Sequence, residues 1–191
     1  MVRPLRKSHS PQDCLIFISL FKATPVRANG LTIKFYHLTQ YMENQKLAAL
    51  VFNMFTEIET LIPLYMQNPA DKNIANGNVA VCIITENGMV FGRMFGQDKP
   101  RQRQSYKVAW IKASQVWLTG VKTGEYEKMV FNQLVDENGN GIEAPDLIGW
   151  QGGQPLTLPD GSKLSVGFSG FRGVVDLEIM EKALEKAVRN N

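Results

Sequence analysis

The sequence predicts an α+β domain: an antiparallel sheet built from two hairpins, with helices packed against it. Two pairs of apolar segments, within 78–95 and 155–168, are each joined by strong turn chemistry, which is hairpin patterning. Stretches with apolar residues at three- and four-residue spacing lie before, between and after them. The strands do not alternate singly with helices, as a doubly wound parallel sheet requires.

The elements follow in order. From Met42 the residues Leu47, Leu50, Val51, Met54, Phe55, Ile58, Leu61 and Ile62 mark one face of an amphipathic helix running to about Leu64. The segment 68–78, NPADKNIANGN, is turn-forming and ends it. NVAVCIIT (78–85) is β-branched and apolar on both faces, so it reads as a buried strand; Asn87-Gly88 turns it into MVFGRMF (89–95). Pro100 suits a first helical turn, and Tyr106, Ala109, Trp110, Ala113, Val116 and Trp117 mark one face of a helix closed by Gly120.

A shorter helix follows, with Thr123 as its cap and Tyr126, Met129, Val130 and Leu134 inward. Residues 136–146 and the GWQGGQ after them are loop by composition. PLTL and KLSVGF flank Pro159-Asp160-Gly161-Ser162, the turn of the second hairpin. Gly167, Gly170 and Gly173 then lead into a last helix, capped by Asp176, whose apolar face is Leu177, Met180, Ala183, Leu184 and Ala187.

At 191 residues, 44% of them hydrophobic, the chain buries one core; residues 1–38 read as a leader and 39–191 as a single domain. The net charge of +3 is uneven. Residues 1–41 carry six Lys/Arg against Asp13, and the remainder carries 15 basic against 17 acidic residues. The body therefore has no polycation signature for nucleic acid. In the leader, Arg3, Arg6 and Lys7 precede CLIFISLF, the outline of a secretory signal, although Lys22 and Pro25 interrupt it. The other reading is an unstructured extension. The protein is expected to be cytoplasmic, or exported if the leader is a signal. No apolar stretch approaches the ~18 residues of a membrane span. Cys14 and Cys82 form neither a disulfide framework nor a CxxC site, and Cys82 reads as a core thiol.

The motifs exclude more than they assign. GFSGFRG (167–173) puts Phe171 where a nucleophile elbow needs a small residue, and both histidines, His9 and His37, lie in or beside the leader. The glycine spacing fits neither a Walker loop nor a dinucleotide loop. Asp136, Asn138 and Asn140 match the first half of a calcium loop, but Leu147 stands where the bidentate Glu belongs. KPRQRQSYK (99–107) places Arg101 and Arg103 at a helix N-terminus, against the macrodipole, which points to an anion or an acidic neighbour. Trp110 and Trp117 fall on the apolar stripe and so supply no stacking platform for nucleic acid.

NVAVCIITENGMVFGRMFG, then SYKVAWIKASQVW with its A-x-x-K-A (Ala109, Lys112, Ala113), then GGQPLTLPDGSKLSVGFSG and Asp176 together resemble the GlcG/HbpS-like haem-binding family, over about residues 40–188. The family includes the C-terminal domain of PduO-type cobalamin adenosyltransferases. The resemblance implies a profilin-like arrangement of layers, a homo-oligomer, and binding of haem or a related tetrapyrrole, sometimes with redox sensing or haem breakdown. It matches Gly152-Gly153, Asp160-Gly161, Ser169-Gly170 and Lys112. It breaks at Phe171 and Arg172, beside the fourth strand.

The candidate ligand-binding residues are Arg93, Arg101 and Arg103 for propionates, with Tyr106, Lys112, Ser169, Gly170 and Arg172. His37 is the candidate iron ligand, with Met89, Met94, Tyr106 and Tyr126 as other possible donors. The reading is a binding or sensing protein for haem. The alternatives are an enzyme acting on haem or a small organic acid, or a non-catalytic assembly subunit.

Overall fold

Five helices and four strands make up the computed structural model, which describes residues 30–136, 139–142 and 146–190, with side chains from Tyr41 onward. The order is α1 (Gly30–Tyr65), α2 (Pro69–Ala75), β1 (Ala80–Thr85), β2 (Val90–Met94), α3 (Lys99–Thr119), α4 (Thr123–Phe131), β3 (Gly153–Thr157), β4 (Lys163–Ser169) and α5 (Gly173–Arg189). Residues Gln40–Asn191 form one compact unit, which holds the whole sheet and helices α2 to α5. Residues 1–29 of the expected leader lie outside the described residues.

The sheet is antiparallel throughout, in the order β2-β1-β4-β3. Its central pair joins the two hairpins, with Ala80 opposite Ser169 and Thr85 opposite Leu164. β1 is buried on both faces, as its unbroken apolar run predicts, whereas β2 is an edge strand that exposes Val90 and Met94. On one face Val81, Ile83, Leu164, Val166 and Phe168 pack with Val51, Met54, Phe55, Ile58 and Leu61 of α1 and with Ile179, Met180 and Ala183 of α5. On the other, Ala80, Cys82 and Ile84 pack under Ala109 and Ala113 of α3.

Small residues set how close α3 comes. A Cβ at Gly167 would stand 2.1 Å from the Ala109 carbonyl oxygen and 2.6 Å from the Ala113 nitrogen, so β4 accepts this helix only as glycine.

Several local expectations change. Among the described residues α1 runs from Gly30, ahead of Met42, because apolar spacing reports a buried face and not the full length of a helix. Tyr41–Tyr65 is also long and apolar enough to cross a membrane, by length and composition only, contrary to the expectation; one face of it is spent on the core. The segment read as a plain turn contains α2. Asn68 caps it by accepting from the Ala70 N–H at 3.0 Å, Pro69 opens it and Asn76 closes it at φ 47°. Turn residues and helix caps are the same residues.

Trp110 and Trp117 are 42% and 46% exposed, so the buried stripe of α3 is narrower than the spacing suggested. Contrary to the expectation, burial therefore does not bar them from stacking on nucleic acid. Leu134 is 72% exposed, beyond the end of α4. α4 and α5 begin after Lys122 and Arg172, with no side-chain cap on either. Thr123 and Asp176 thus lie inside their helices; Thr123 donates to the Trp150 carbonyl, and Asp176 accepts from Lys112 and from the Phe171 N–H just ahead of α5.

Candidate functional site

The turn from β4 into α5 meets the first half of α3 around a cavity of 520 Å³. Arg101, Lys112, Ser169, Gly170 and Arg172, all candidates from the sequence, line it together. The apolar part of the wall is Ile74, Val108, Trp150 and Phe171; Gln104, Ser105 and Gln151 add polar groups.

At its floor Lys112 reaches from α3, past β4, to the start of α5. Its Nζ donates to the Phe168 carbonyl at 2.9 Å and to Asp176 Oδ2 at 3.0 Å, with both side chains 3% exposed. Asp176 Oδ1 accepts the Phe171 N–H at 3.0 Å. Burial pushes the Asp176 carboxyl up to about 7 despite its partner, and the same burial pulls the Lys112 amine below its usual range. Gly152 sits against this pair at φ +119°, where a Cβ would come 2.5 Å from Nζ.

The rim carries two arginines that are tied back to α2. Arg172 grips Asp71 through Nε at 3.0 Å, Nη2 at 2.9 Å and its backbone N–H at 3.0 Å. Those bonds hold the buried Asp71 carboxyl below its ordinary value. Arg101 donates to the Ile74 carbonyl at 2.8 Å and to Gln104 at 2.9 Å. Gly173, the first residue of α5, also lines the cavity, and this helix N-terminus has no side-chain cap. Two guanidinium groups and the positive end of a helix therefore border one space, with Asp176 below and Asp71 behind Arg172.

Three candidates lie elsewhere. Arg93, on β2, pairs with Glu59 of α1 and covers the Phe95 ring at 5.0 Å. Arg103 is exposed on α3 and does not line the cavity. Tyr106 lies between α3 and β2, where its hydroxyl bonds the buried Cys82 thiol and fills the space above Gly92. Burial pushes Cys82 up to about 12, as befits a core thiol. The helix-dipole conflict at Arg101 and Arg103 is met by the protein itself, since Asp98 caps α3 by accepting from the Arg101 N–H at 3.2 Å.

Asp176 was legible only as a helix cap, and Trp150 and Gln151 only as loop; no local pattern tells that these residues face a cavity. A neighbouring 590 Å³ cavity, lined by Asn73, Asn76, Asn78 and Gln97, shares Ile74 and Arg101 but has no comparable group of charges.

The fit to haem divides. The rim suits carboxylates, but among the described residues no histidine, methionine, cysteine or tyrosine lines the cavity, so it supplies none of the usual iron ligands. Met89, Met94 and Tyr126 are placed elsewhere, and Tyr126 is buried with its hydroxyl accepting from Asn140. His37 belongs to α1, and its side chain lies outside the described residues.

No family model matches the sequence, and no curated protein matches it. Solved structures do match. A double mutant of Streptomyces reticuli HbpS aligns with TM-score 0.50 at 20% identity, over 73% of this chain and 84% of that one. The Klebsiella pneumoniae protein ORFY, of family DUF336, aligns with TM-score 0.54 at 16% identity, over 73% and 88%. The chain has the GlcG/HbpS-like fold, as its sequence resemblance implies.

Proposed function

We propose that this chain is a small-molecule binding protein whose ligand presents a carboxylate to Arg101, Arg172 and the N-terminus of α5. The observation that carries this reading is the convergence of those groups on one cavity whose remaining wall is largely apolar. Guanidinium and backbone N–H groups bind carboxylates with charge-assisted bonds, and apolar walls favour the organic part of the ligand.

Haem is the ligand that the sequence resemblance implies, and its propionates would take the same arginines. The iron is not served by this cavity, so no chemistry is assigned to it. A homo-oligomer and a sensing role belong to the same resemblance and are proposed with it.

Titration with haemin, followed by the Soret band, tests the haem form of the reading. A chain beginning at Met42 that still shifts the band removes His37 as iron ligand. Titration with small carboxylates, followed by the fluorescence of the cavity residue Trp150, tests the wider form. No response to either class overturns the proposal. Light scattering measures the assembly.

The second reading is an enzyme acting on a small organic acid, favoured by the buried amine and carboxyl in the cavity floor. Breakdown of haem is tested separately: reduced haem with oxygen that loses no absorbance excludes it.

A further inference from the structure

We propose that Lys112 is a nucleophilic amine that forms a Schiff base with the carbonyl group of a 2-oxo acid bound in this cavity, with Asp176 supplying the proton to the carbonyl oxygen. The inference rests on the carboxylate-binding reading above and gives the organic acid a chemical class.

The hydrogen bonds around Nζ can be met by a neutral amine as well as by an ammonium. Such an amine has two N–H donors and one lone pair, whereas an ammonium has three donors and no lone pair. Lys112 has two acceptors within reach, the Phe168 carbonyl and Asp176 Oδ2. Two donors satisfy both and leave a lone pair, and Lys112 and Asp176 both line the cavity. Gly152 packs directly against the amine on the side away from the cavity lining, since a Cβ there would stand 2.5 Å from Nζ.

Position favours the same step. Arg172, the residue before α5, lies at the rim of the cavity, and Asp176, in the first turn of α5, lies in its floor. A carboxylate held at Arg172 keeps its adjacent carbonyl carbon inside the cavity that Lys112 and Asp176 also line, which is the layout of a 2-oxo acid. Burial also moves both groups toward the forms the step needs: the amine becomes easier to deprotonate and the carboxyl harder to ionise. Lys72, Lys99 and Lys107, by contrast, are exposed.

The step balances without a redox partner. The Nζ lone pair forms the N–C bond while the carbonyl π pair moves to oxygen, which takes the Asp176 proton. The nitrogen, now carrying an extra proton, returns it to the Asp176 carboxylate. Asp176 then protonates the hydroxyl, which leaves as water as the nitrogen lone pair forms C=N. The products are a protonated imine on Lys112, ionised Asp176 and one water.

The test uses the full chain with pyruvate as probe and sodium cyanoborohydride as trapping reductant, followed by peptide mapping. The expected result is a single reduced adduct on the peptide containing Lys112, absent in Lys112→Arg. Trapping confined to exposed lysines, or no trapping, overturns the inference, and the mapping on the unmodified sequence decides this even if the variant does not fold. Pyruvate binding without reductant, measured by calorimetry, separates the two claims. Binding with no adduct at Lys112 overturns only the Schiff base; no binding and no adduct also removes pyruvate as a ligand of this site.

Discussion

Lys112 Nζ and Asp176 Oδ2 lie 3.0 Å apart with scarcely any solvent access, joining the middle of α3 to the first turn of α5 beneath the cavity. Removing one partner strands the other in the interior. Lys112→Met or Asp176→Leu alone is expected to cost about 3–5 kcal/mol, and the double substitution to recover much of it. Urea unfolding of the four proteins checks this; additive losses in the double variant would show that the two groups are not coupled.

The Arg172–Asp71 bond predicts an acid-dependent stability. The Asp71 carboxyl sits below its ordinary value of 3.8 in the folded chain, through its bonds to Arg172. The stabilisation is therefore complete above 3.8 and declines as pH falls through the lower, folded value. Asp71→Asn should remove that part of the acid sensitivity. Unfolding midpoints of both proteins measured from neutral pH downward should converge in acid, and a gap independent of pH would contradict the assignment.

Ligand binding should separate the arginines. Arg101→Gln is expected to weaken binding of a small carboxylate about tenfold or more, the worth of a charge-assisted bond. Arg93→Gln and Arg103→Gln should leave it unchanged, because neither residue lines the cavity. Calorimetric titration of the three variants is the measurement, and equal losses in all three would point to general charge attraction.

Gly167→Ala tests the closeness of α3 to the sheet. The new methyl would meet the Ala109 carbonyl oxygen at 2.1 Å, so the helix must shift. A loss of at least about 1–3 kcal/mol is expected, as for overpacked cores. Gly161→Ala is a control for added bulk, because a Cβ there meets nothing within 4 Å, although its φ of +87° carries its own strain. Thermal unfolding of the two variants should rank Gly167→Ala clearly lower.

The sequence by itself determined the two hairpins, the helices around them and hence the α+β class. Asn87-Gly88 and the turn at Asp160-Gly161 fix local chain reversal, and the periodicity of α1 and α5 fixes which face is buried. It also supplied the cavity's cations, because a lysine inside an apolar helix stripe and an arginine after a glycine turn are visible in one dimension. Only the tertiary structure decided which of them meet. Arg101 and Arg172 are far apart in sequence, and they share a rim because β4 crosses beneath α3 at Gly167, whereas Arg93 is drawn to Glu59 on the opposite side of the sheet. Asp176 shows the limit most clearly. Its spacing marks it as a residue near a helix start, but whether such a carboxylate caps its own helix or pairs with a lysine 64 residues away depends on what packs above it.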